Sequence, residues 1–185
     1  KLSMGLFVLY FGTRRQYPGM ARHTIWLGPR YKELLADIFR GGVLPKDFSL
    51  YIHRPTATDP GFAPEGCDSF YVLCPVPNTE AGIDWHSETP RLRARIIDAL
   101  EKTVMPGLSR AIVSEHVMTP QDFESDYLSH CGTGFSVAAV SSKKEWFRFH
   151  NKSESLNNLF LVGAGTHPGA GIPGVLCSAK AVESL

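Results

Sequence analysis

The sequence has no long apolar run and no strong excess of either charge. No stretch approaches the roughly 18 consecutive apolar residues of a membrane-spanning helix. The formal net charge is +1, so the chain offers no broad basic surface for nucleic acid. It contains no segment patterned like a signal peptide. These absences predict a globular, cytoplasmic protein that does not bind nucleic acid.

Metal-ligand and disulfide spacings are absent as well. The 4 cysteines form no C-x-x-C pair and are predicted to be reduced thiols: Cys67, Cys74, Cys131 and Cys177. The histidines form neither H-x-H nor H-E-x-x-H, so we expect no metal site. No nucleophile is paired with a base, and the sequence identifies no catalytic residue. Asp122, Glu124 and Asp126 are close in number, but we interpret them as a solvated helix start.

The most informative segment is residues 157–185, with the sequence NNLFLVGAGTHPGAGIPGVLCSAKAVESL. The apolar run at residues 159–162 predicts a fully buried strand; a buried helical segment is the alternative that periodicity leaves open. A glycine-rich turn follows, and then Val175, Ala179 and Val182 recur with helical spacing. Pro173 suits the first position of that helix, because proline lacks an N–H group there at no cost.

Such a turn at a helix start can bind an anionic or electron-accepting group. Glycines let backbone N–H groups come close to a ligand, and the helix start adds unpaired donors and partial positive charge. The alternative is a tight structural turn without a ligand. The usual G-x-G-x-x-G dinucleotide fingerprint is not met, since Pro168 takes the place of its third glycine.

The string GAGTHPGAGIPGV resembles the C-terminal FAD-binding segment of bacterial phytoene desaturases, which are flavin-dependent carotenoid desaturases. Further resemblance lies, in the family's order, in LFVLYFG, HTIWLGPRYKELL, DFSLYIHRPTATDP, APEGCDSFYVLCPVP, TPQDF and EWFRFHN. It covers nearly the whole chain. One departure is Phe149, where family members usually have proline. The family's N-terminal G-x-G-x-x-G is absent, so we interpret the chain as a C-terminal fragment; a small self-sufficient domain is the alternative.

The resemblance implies a fold and a cofactor. The expected fold is mixed α/β: part of an FAD-dependent oxidoreductase with a Rossmann-like FAD domain and a mixed-sheet substrate domain. Residues 1–150 would belong mainly to the substrate domain, and residues 151–185 would form the last strand, loop and helix of the FAD domain. By motif position, the ribityl-phosphate part of FAD would contact Gly163, Ala164, Gly165 and Thr166. The flavin ring would contact Gly171, Ile172, Pro173, Gly174 and Val175.

The implied activity is desaturation of phytoene in carotenoid biosynthesis, with hydride transfer from an apolar polyene to FAD. The fragment alone is expected to be inactive. Alternatives are another flavin-dependent carotenoid desaturase, a carotenoid isomerase, or a non-catalytic binding module. An insoluble substrate also suggests peripheral attachment to a membrane surface.

Periodicity predicts the remaining elements. Strands are expected at residues 6–11, 23–27, 48–53, 69–76 and 111–118, and helices at residues 31–39 and 87–104, with a short capped helix after Thr119. The third and fourth strands are expected to pair in antiparallel fashion. The long helix would be capped by Ser87 or Thr89, with Pro90 in its first turn.

Two features leave a functional and a structural interpretation open. His53 ends a strand before a loop, where it could line a substrate channel or transfer a proton; a surface or hydrogen-bonded histidine is the alternative. Trp146, Phe147 and Phe149 form an aromatic group that is either core or the wall of an apolar cavity beside the flavin.

Overall fold

A computed structural model describes residues 1–138 and 148–185, and it divides them into two compact units. The sheet unit is Gly5–Gly132, and the loop unit combines Lys1–Met4 with Thr133–Leu185. The predicted boundary between residues 150 and 151 remains a prediction.

The sheet unit is built on a five-stranded antiparallel sheet with the order β2-β3-β4-β1-β5. Its strands are β1 (Gly5–Thr13), β2 (His23–Trp26), β3 (Leu50–His53), β4 (Asp68–Val76) and β5 (Ile112–Met118). All five predicted strands are therefore confirmed, as is the antiparallel pairing of β3 with β4. Side chains alternate between two faces, and one face carries the core residues Phe7, Leu9, Phe11, Ile52 and Val72.

Helices lie between β2 and β3, between β4 and β5, and after β5. They are α1 (Tyr31–Ala36), which continues as a π-helical turn Asp37–Gly41, α2 (Trp85–Thr103), α3 (Leu108–Ala111) and α4 (Pro120–Tyr127). Gly42 ends the first of these helical segments with a φ of 58°, the left-handed conformation that glycine adopts without strain. Thr119 and Asp122 form the capping box of α4, as the sequence predicts for Thr119, so Asp122 is part of a cap rather than a free charge.

The long helix α2 covers the core face of the sheet. Its buried side chains include Leu92, Ile96, Ile97 and Leu100, which belong to the same apolar cluster as the sheet residues. Each such burial stabilises the fold by about 1.5–3 kcal/mol. The predicted start of α2 is wrong: Asp84 caps the helix by accepting a hydrogen bond from the His86 N–H, and Pro90 lies inside it.

The loop unit contains one helix, α5 (Ile172–Glu183), among its described residues. Gly171 is its N-cap, and Pro173 lies in its first turn, close to the predicted position. The predicted buried strand at residues 159–162 is wrong. Phe160 makes a single bridge to Lys152, and Leu159, Phe160 and Val162 are exposed. A strand needs hydrogen-bonded neighbours along its length, and this run has one isolated bridge.

Candidate functional site

The glycine-rich loop before α5 is held by a buried polar network. Thr166 donates its hydroxyl hydrogen to the Gly163 carbonyl at 2.9 Å, and the Asn151 amide donates to the Leu161 carbonyl at 3.1 Å. The Gly163 N–H donates to the Ser178 hydroxyl oxygen at 2.9 Å, and that hydroxyl donates to the Val175 carbonyl. Asn151, Thr166 and Ser178 are all buried, so these bonds fix the loop against α5.

Arg148 supports the same loop from its other side. Its guanidinium donates to the Ala164 carbonyl at 2.6 Å. It also lies where a side chain on Gly169 would have to go, since a Cβ there would be 3.2 Å from the Arg148 Nε. Sequence reasoning missed Arg148, Asn151 and Ser178 as positioning residues. A serine in the middle of an otherwise apolar helix was the available signal for Ser178.

Two of the predicted glycines are closely packed, and at one of them, Gly174, the neighbouring atoms belong to the backbone, so glycine is required there. A Cβ on Gly165 would lie 2.6 Å from the Ser136 hydroxyl oxygen, and a Cβ on Gly174 would lie 2.6 Å from the Gly169 carbonyl oxygen. The approach of Gly174 to Gly169 lets the loop fold back on the first turn of α5. These contacts serve the loop itself, and they agree with the structural alternative as well as with a cofactor loop.

Open space adjoins the other predicted contacts. A Cβ on Gly163 or on Gly171 would meet nothing within 4 Å among the described residues. Gly171 has a φ of 96°, which lets the chain turn into the helix there. Beside it, Ile172 is 79% exposed. The N–H groups of Ile172 and Gly174 belong to the first turn, where no intrahelical acceptor exists. This edge can accept a planar or anionic group.

The residues predicted to contact FAD differ in how accessible they are to a ligand. Thr166 points its hydroxyl into the protein, while Gly171, Ile172 and Pro173 lie at an exposed helix start. Val175 donates its N–H to the Gly171 carbonyl, and its side chain is exposed. A cavity of about 430 Å³ in the loop unit is lined by Arg148, His150, Lys152 and neighbouring residues rather than by the predicted glycines. The assignment of these residues to FAD remains a prediction.

The aromatic group before the loop is described only in part. Phe149 is exposed and makes a bridge to Thr166. Trp146 and Phe147 lie outside the described residues.

The sheet unit has a second cavity, of about 570 Å³, on the face of the sheet opposite the core. Tyr10, Tyr71 and His116 are among its floor residues, and Phe62 and Pro64 from the loop before β4 form part of a wall. Ser69 also lines this cavity, and its buried hydroxyl has no hydrogen-bond partner among the described residues. The cavity is predominantly apolar and suits a hydrocarbon.

His53 lies on the same face of the sheet. Its ring stacks on His23 with centroids 4.9 Å apart and contacts Tyr71 at 5.0 Å. Burial, together with the His23 and Arg22 charges, lowers the pKa of His53 from its ordinary value. The imidazole therefore favours its neutral form, which is compatible with an apolar ligand.

A buried ion pair fixes the loop that borders this cavity. The Arg54 guanidinium donates to the Asp68 carboxylate at 3.0 Å, and the Tyr17 N–H and the Thr56 hydroxyl donate to the same carboxylate. Asp68 is 1% exposed. Since every one of these donors is itself anchored in the sheet unit, the pair holds the start of the loop in one place.

The described residues contain neither a cluster of metal ligands nor a membrane-spanning helix. Within residues 1–138 and 148–185, no three or more His, Cys, Asp or Glu side chains converge as metal ligands would. In that same part of the chain, no helix combines the length and the apolar character required to cross a bilayer.

Comparison with curated proteins gives strong matches over the whole chain, whereas no protein-family model matches it. The chain is 52% identical over 185 residues to a phytoene desaturase (lycopene-forming) of Pseudescherichia vulneris, covering 100% of the chain and 38% of that protein. It is 47% identical over 188 residues to a phytoene desaturase (neurosporene-forming) of Rhodobacter capsulatus, covering 99% of the chain and 36% of the relative. A 4,4'-diapophytoene desaturase of Methylomonas sp is 35% identical over 184 residues, with 99% and 36% covered. The chain thus spans less than two fifths of the length of these relatives.

Proposed function

The chain belongs to the phytoene desaturase family and matches the C-terminal part of its members. From this premise we propose that the protein containing the chain desaturates phytoene in carotenoid biosynthesis. The observation that carries the proposal is the 52% identity across all 185 residues. The apolar cavity on the open face of the sheet supports it, because a hydrocarbon substrate without polar groups must be bound through buried apolar area.

We propose FAD as the cofactor, which would accept a hydride from the substrate. The open edge formed by Gly171, Ile172 and Gly174 fits a flavin ring, since a Cβ on Gly171 would meet nothing within 4 Å and the first-turn N–H groups point outward. The partial positive charge of the α5 N-terminus would stabilise negative charge on the reduced ring. Arg148, Asn151 and Ser178 would act as positioning residues, because their bonds fix the loop.

We further propose that residues 151–185 complete a Rossmann-like FAD domain and that residues 1–150 belong mainly to a substrate domain. Exposed apolar side chains in the loop unit support the first assignment: Val162, Ile172 and Leu176 are 56%, 79% and 66% exposed. Covering side chains of this kind with another surface lowers the free energy of the protein, because apolar area leaves the water. Part of that surface would be FAD and part the additional polypeptide that the relatives have.

Activity is tested on the full-length protein that carries this chain. We expect purified, flavin-loaded protein to convert phytoene held in liposomes into more conjugated products, detected by chromatography with absorbance. Unchanged phytoene would count against the proposal. Conversion of 4,4'-diapophytoene in preference to phytoene would favour the second candidate, a diapophytoene desaturase, which the relative from Methylomonas sp suggests.

Flavin binding is tested by Ile172→Glu. An acidic residue in the first turn stabilises a helix, so α5 is retained while a negative charge is placed beside the proposed flavin. We expect the flavin content of the purified protein to fall. The control is Glu183→Lys, at the other end of α5. Normal flavin content in Ile172→Glu would contradict the loop assignment but not the desaturase activity.

A membrane surface is the proposed location of the protein in the cytoplasm, because the substrate is insoluble in water. Flotation with liposomes checks this: the full-length protein is expected to rise with the lipid. Protein that stays entirely in the dense fraction would remove this proposal.

A further inference from the structure

A continuous row of aromatic and imidazole rings crosses the open face of the sheet. Its members, which we call the ring band, come from all five strands: His23, Tyr51, His53, Tyr71, Tyr10 and His116. Neighbouring ring centroids are 4.9 Å apart for His23 and His53, 5.0 Å for His53 and Tyr71, 5.9 Å for Tyr71 and Tyr10, and 6.2 Å for Tyr10 and His116. These distances lie in the range of favourable ring contacts.

The register of the sheet explains why the band is continuous. His23 is directly opposite His53, His53 opposite Tyr71, Tyr71 opposite Tyr10, and Tyr10 opposite His116. Adjacent strands are about 4.8 Å apart, so the band is roughly 20 Å long. It therefore runs across the strands as an elongated surface.

This face of the sheet carries no carboxylate, ammonium or guanidinium group on its strands, all of which the structure describes. The residues flanking the band on the same face are Leu6, Val8, Gly12, Ile25, Ser69, Leu73, Pro75, Ser114 and Met118. Burial and a hydrogen bond with Tyr51 raise the pKa of Tyr71 to about 12, so its hydroxyl stays neutral. A charged group, Arg22, acts on His53 at the β2–β3 end of the band, so the strand surface around Tyr71 and Tyr10 is the part that matches an uncharged ligand.

Part of the band is the floor of the 570 Å³ cavity. Tyr71, Tyr10 and His116 line that cavity, and Phe62 faces them from the bordering loop. Phe62 is 62% exposed. A ligand on the band at this point would lie in an aromatic-lined groove rather than on an open surface.

We propose that the ring band selects conjugated over unconjugated segments of a linear polyprenoid hydrocarbon. This inference rests on the proposed function and deepens it, since apolar burial alone would bind both kinds of segment equally. A conjugated polyene is planar and polarisable and can lie flat along a row of rings, whereas an unconjugated segment bends at its sp³ carbons and has at most isolated double bonds. The band thus holds the part of the substrate that is already desaturated.

The expected size of this selectivity follows from ring contacts. An aromatic pair contributes about 0.5–1.5 kcal/mol beyond its buried area. Loss of one ring should therefore change the preference for a conjugated ligand by about two- to tenfold.

The experiment uses the full-length, flavin-loaded protein, immobilised and equilibrated with detergent micelles that contain both lycopene and lycopane, its fully hydrogenated counterpart. Mass spectrometry of the bound hydrocarbons gives the lycopene-to-lycopane ratio. Tyr71→Leu and Tyr10→Leu remove a ring but keep apolar volume. Tyr71→Phe keeps the ring. Tyr31→Leu is the matched control, because Tyr31 is an exposed tyrosine in α1, outside the band.

We expect the ratio to fall about two- to tenfold in Tyr71→Leu and in Tyr10→Leu, and to stay unchanged in Tyr71→Phe and Tyr31→Leu. If Tyr71→Leu loses its flavin or its fold, Tyr10→Leu decides. An unchanged ratio in the leucine variants, with phytoene conversion retained, would overturn the inference and leave the proposed function standing. Protein that neither retains a hydrocarbon nor converts phytoene would overturn both.

Discussion

The sheet unit and the loop unit bury opposite kinds of side chain. In the sheet unit, apolar residues of the sheet and of α2 form one cluster. It includes Phe7, Leu9, Ile96 and Leu100, each of which is 0% exposed. In the described residues of the loop unit, no large apolar side chain is buried, and the buried side chains are polar: Ser3, Thr133, Asn151, Thr166 and Ser178. Its apolar residues, such as Ile172 and Leu176, are exposed.

The difference separates a unit stabilised by its own core from one shaped by hydrogen bonds. Burial of apolar area is the dominant favourable contribution to folding, so the sheet unit contains its own source of stability. The loop unit has a defined loop geometry but leaves its apolar area available for binding. Apolar area that is left uncovered in this way is what the proposed binding of a cofactor requires.

The largest expected effect comes from breaking the buried ion pair of the sheet unit. Asp68→Ala leaves the Arg54 guanidinium, 8% exposed, without its carboxylate. We expect the free energy of unfolding to fall by about 3–5 kcal/mol, measured by urea unfolding with circular dichroism. Asp98→Ala is the control, because Asp98 pairs with Lys102 in the solvent and such pairs contribute little. Equal effects of the two changes would contradict this account.

A pair of leucine substitutions compares the two units directly. Leu100→Ala removes a side chain that is 0% exposed in α2, while Leu176→Ala removes one that is 66% exposed in α5. We expect a loss of about 2–5 kcal/mol for Leu100→Ala and less than about 0.5 kcal/mol for Leu176→Ala, in the same unfolding assay. A large loss for Leu176→Ala would show that α5 has a core of its own, and the comparison would fail.

A smaller effect is expected in the hydrogen-bond network of the loop unit. Ser178→Ala removes the acceptor of the Gly163 N–H and should cost about 1–3 kcal/mol locally. The measurement is amide hydrogen exchange at Gly163, which we expect to become faster. Ser184→Ala serves as control, since that exposed hydroxyl bonds only to the Lys180 carbonyl of the same helix. Unchanged exchange in Ser178→Ala would mean that the network does not fix the loop.

The smallest effect concerns the pH dependence of the sheet unit. The folded state lowers the pKa of His53 from 6.5, chiefly through burial, so the unfolded state binds more protons just below that pH. Stability should therefore fall as the pH decreases through 6.5. We expect His53→Gln to reduce this slope in unfolding experiments across the pH range. A slope that becomes steeper in the variant would show that the sign is wrong.

Much of the sheet unit could be predicted from its sequence because its pattern is local. Short runs rich in apolar, β-branched and aromatic residues located all five strands, and the capping residues Thr119 and Asp122 marked α4. The start of α2 was missed because Ser87, Thr89 and Pro90 resemble a cap and first turn. Asp84, further upstream, makes the cap instead, and Pro90 is tolerated inside the helix.

The loop unit was harder to predict because its structure depends on distant partners. An apolar run such as residues 159–162 is a strand only where neighbouring strands lie beside it. Asn151 and Ser178 bond to the loop across 10 and 15 residues of sequence, a separation that periodicity does not register. The ring band was missed for the same reason: each ring is ordinary in its own strand, and only the register aligns them.

The order of strands in the sheet also bears on how the protein is made. Within this sheet β1 is synthesised before the other strands, yet both of its neighbours, β4 and β5, come later in the chain than β2 and β3. At about 5–20 residues per second, synthesis of the roughly hundred residues between β1 and β5 takes roughly 5–20 s, and β4 follows β1 after about half of that time. Until β4 follows, the apolar β1 segment has no sheet partner, and unpaired apolar strands of this kind are prone to aggregation.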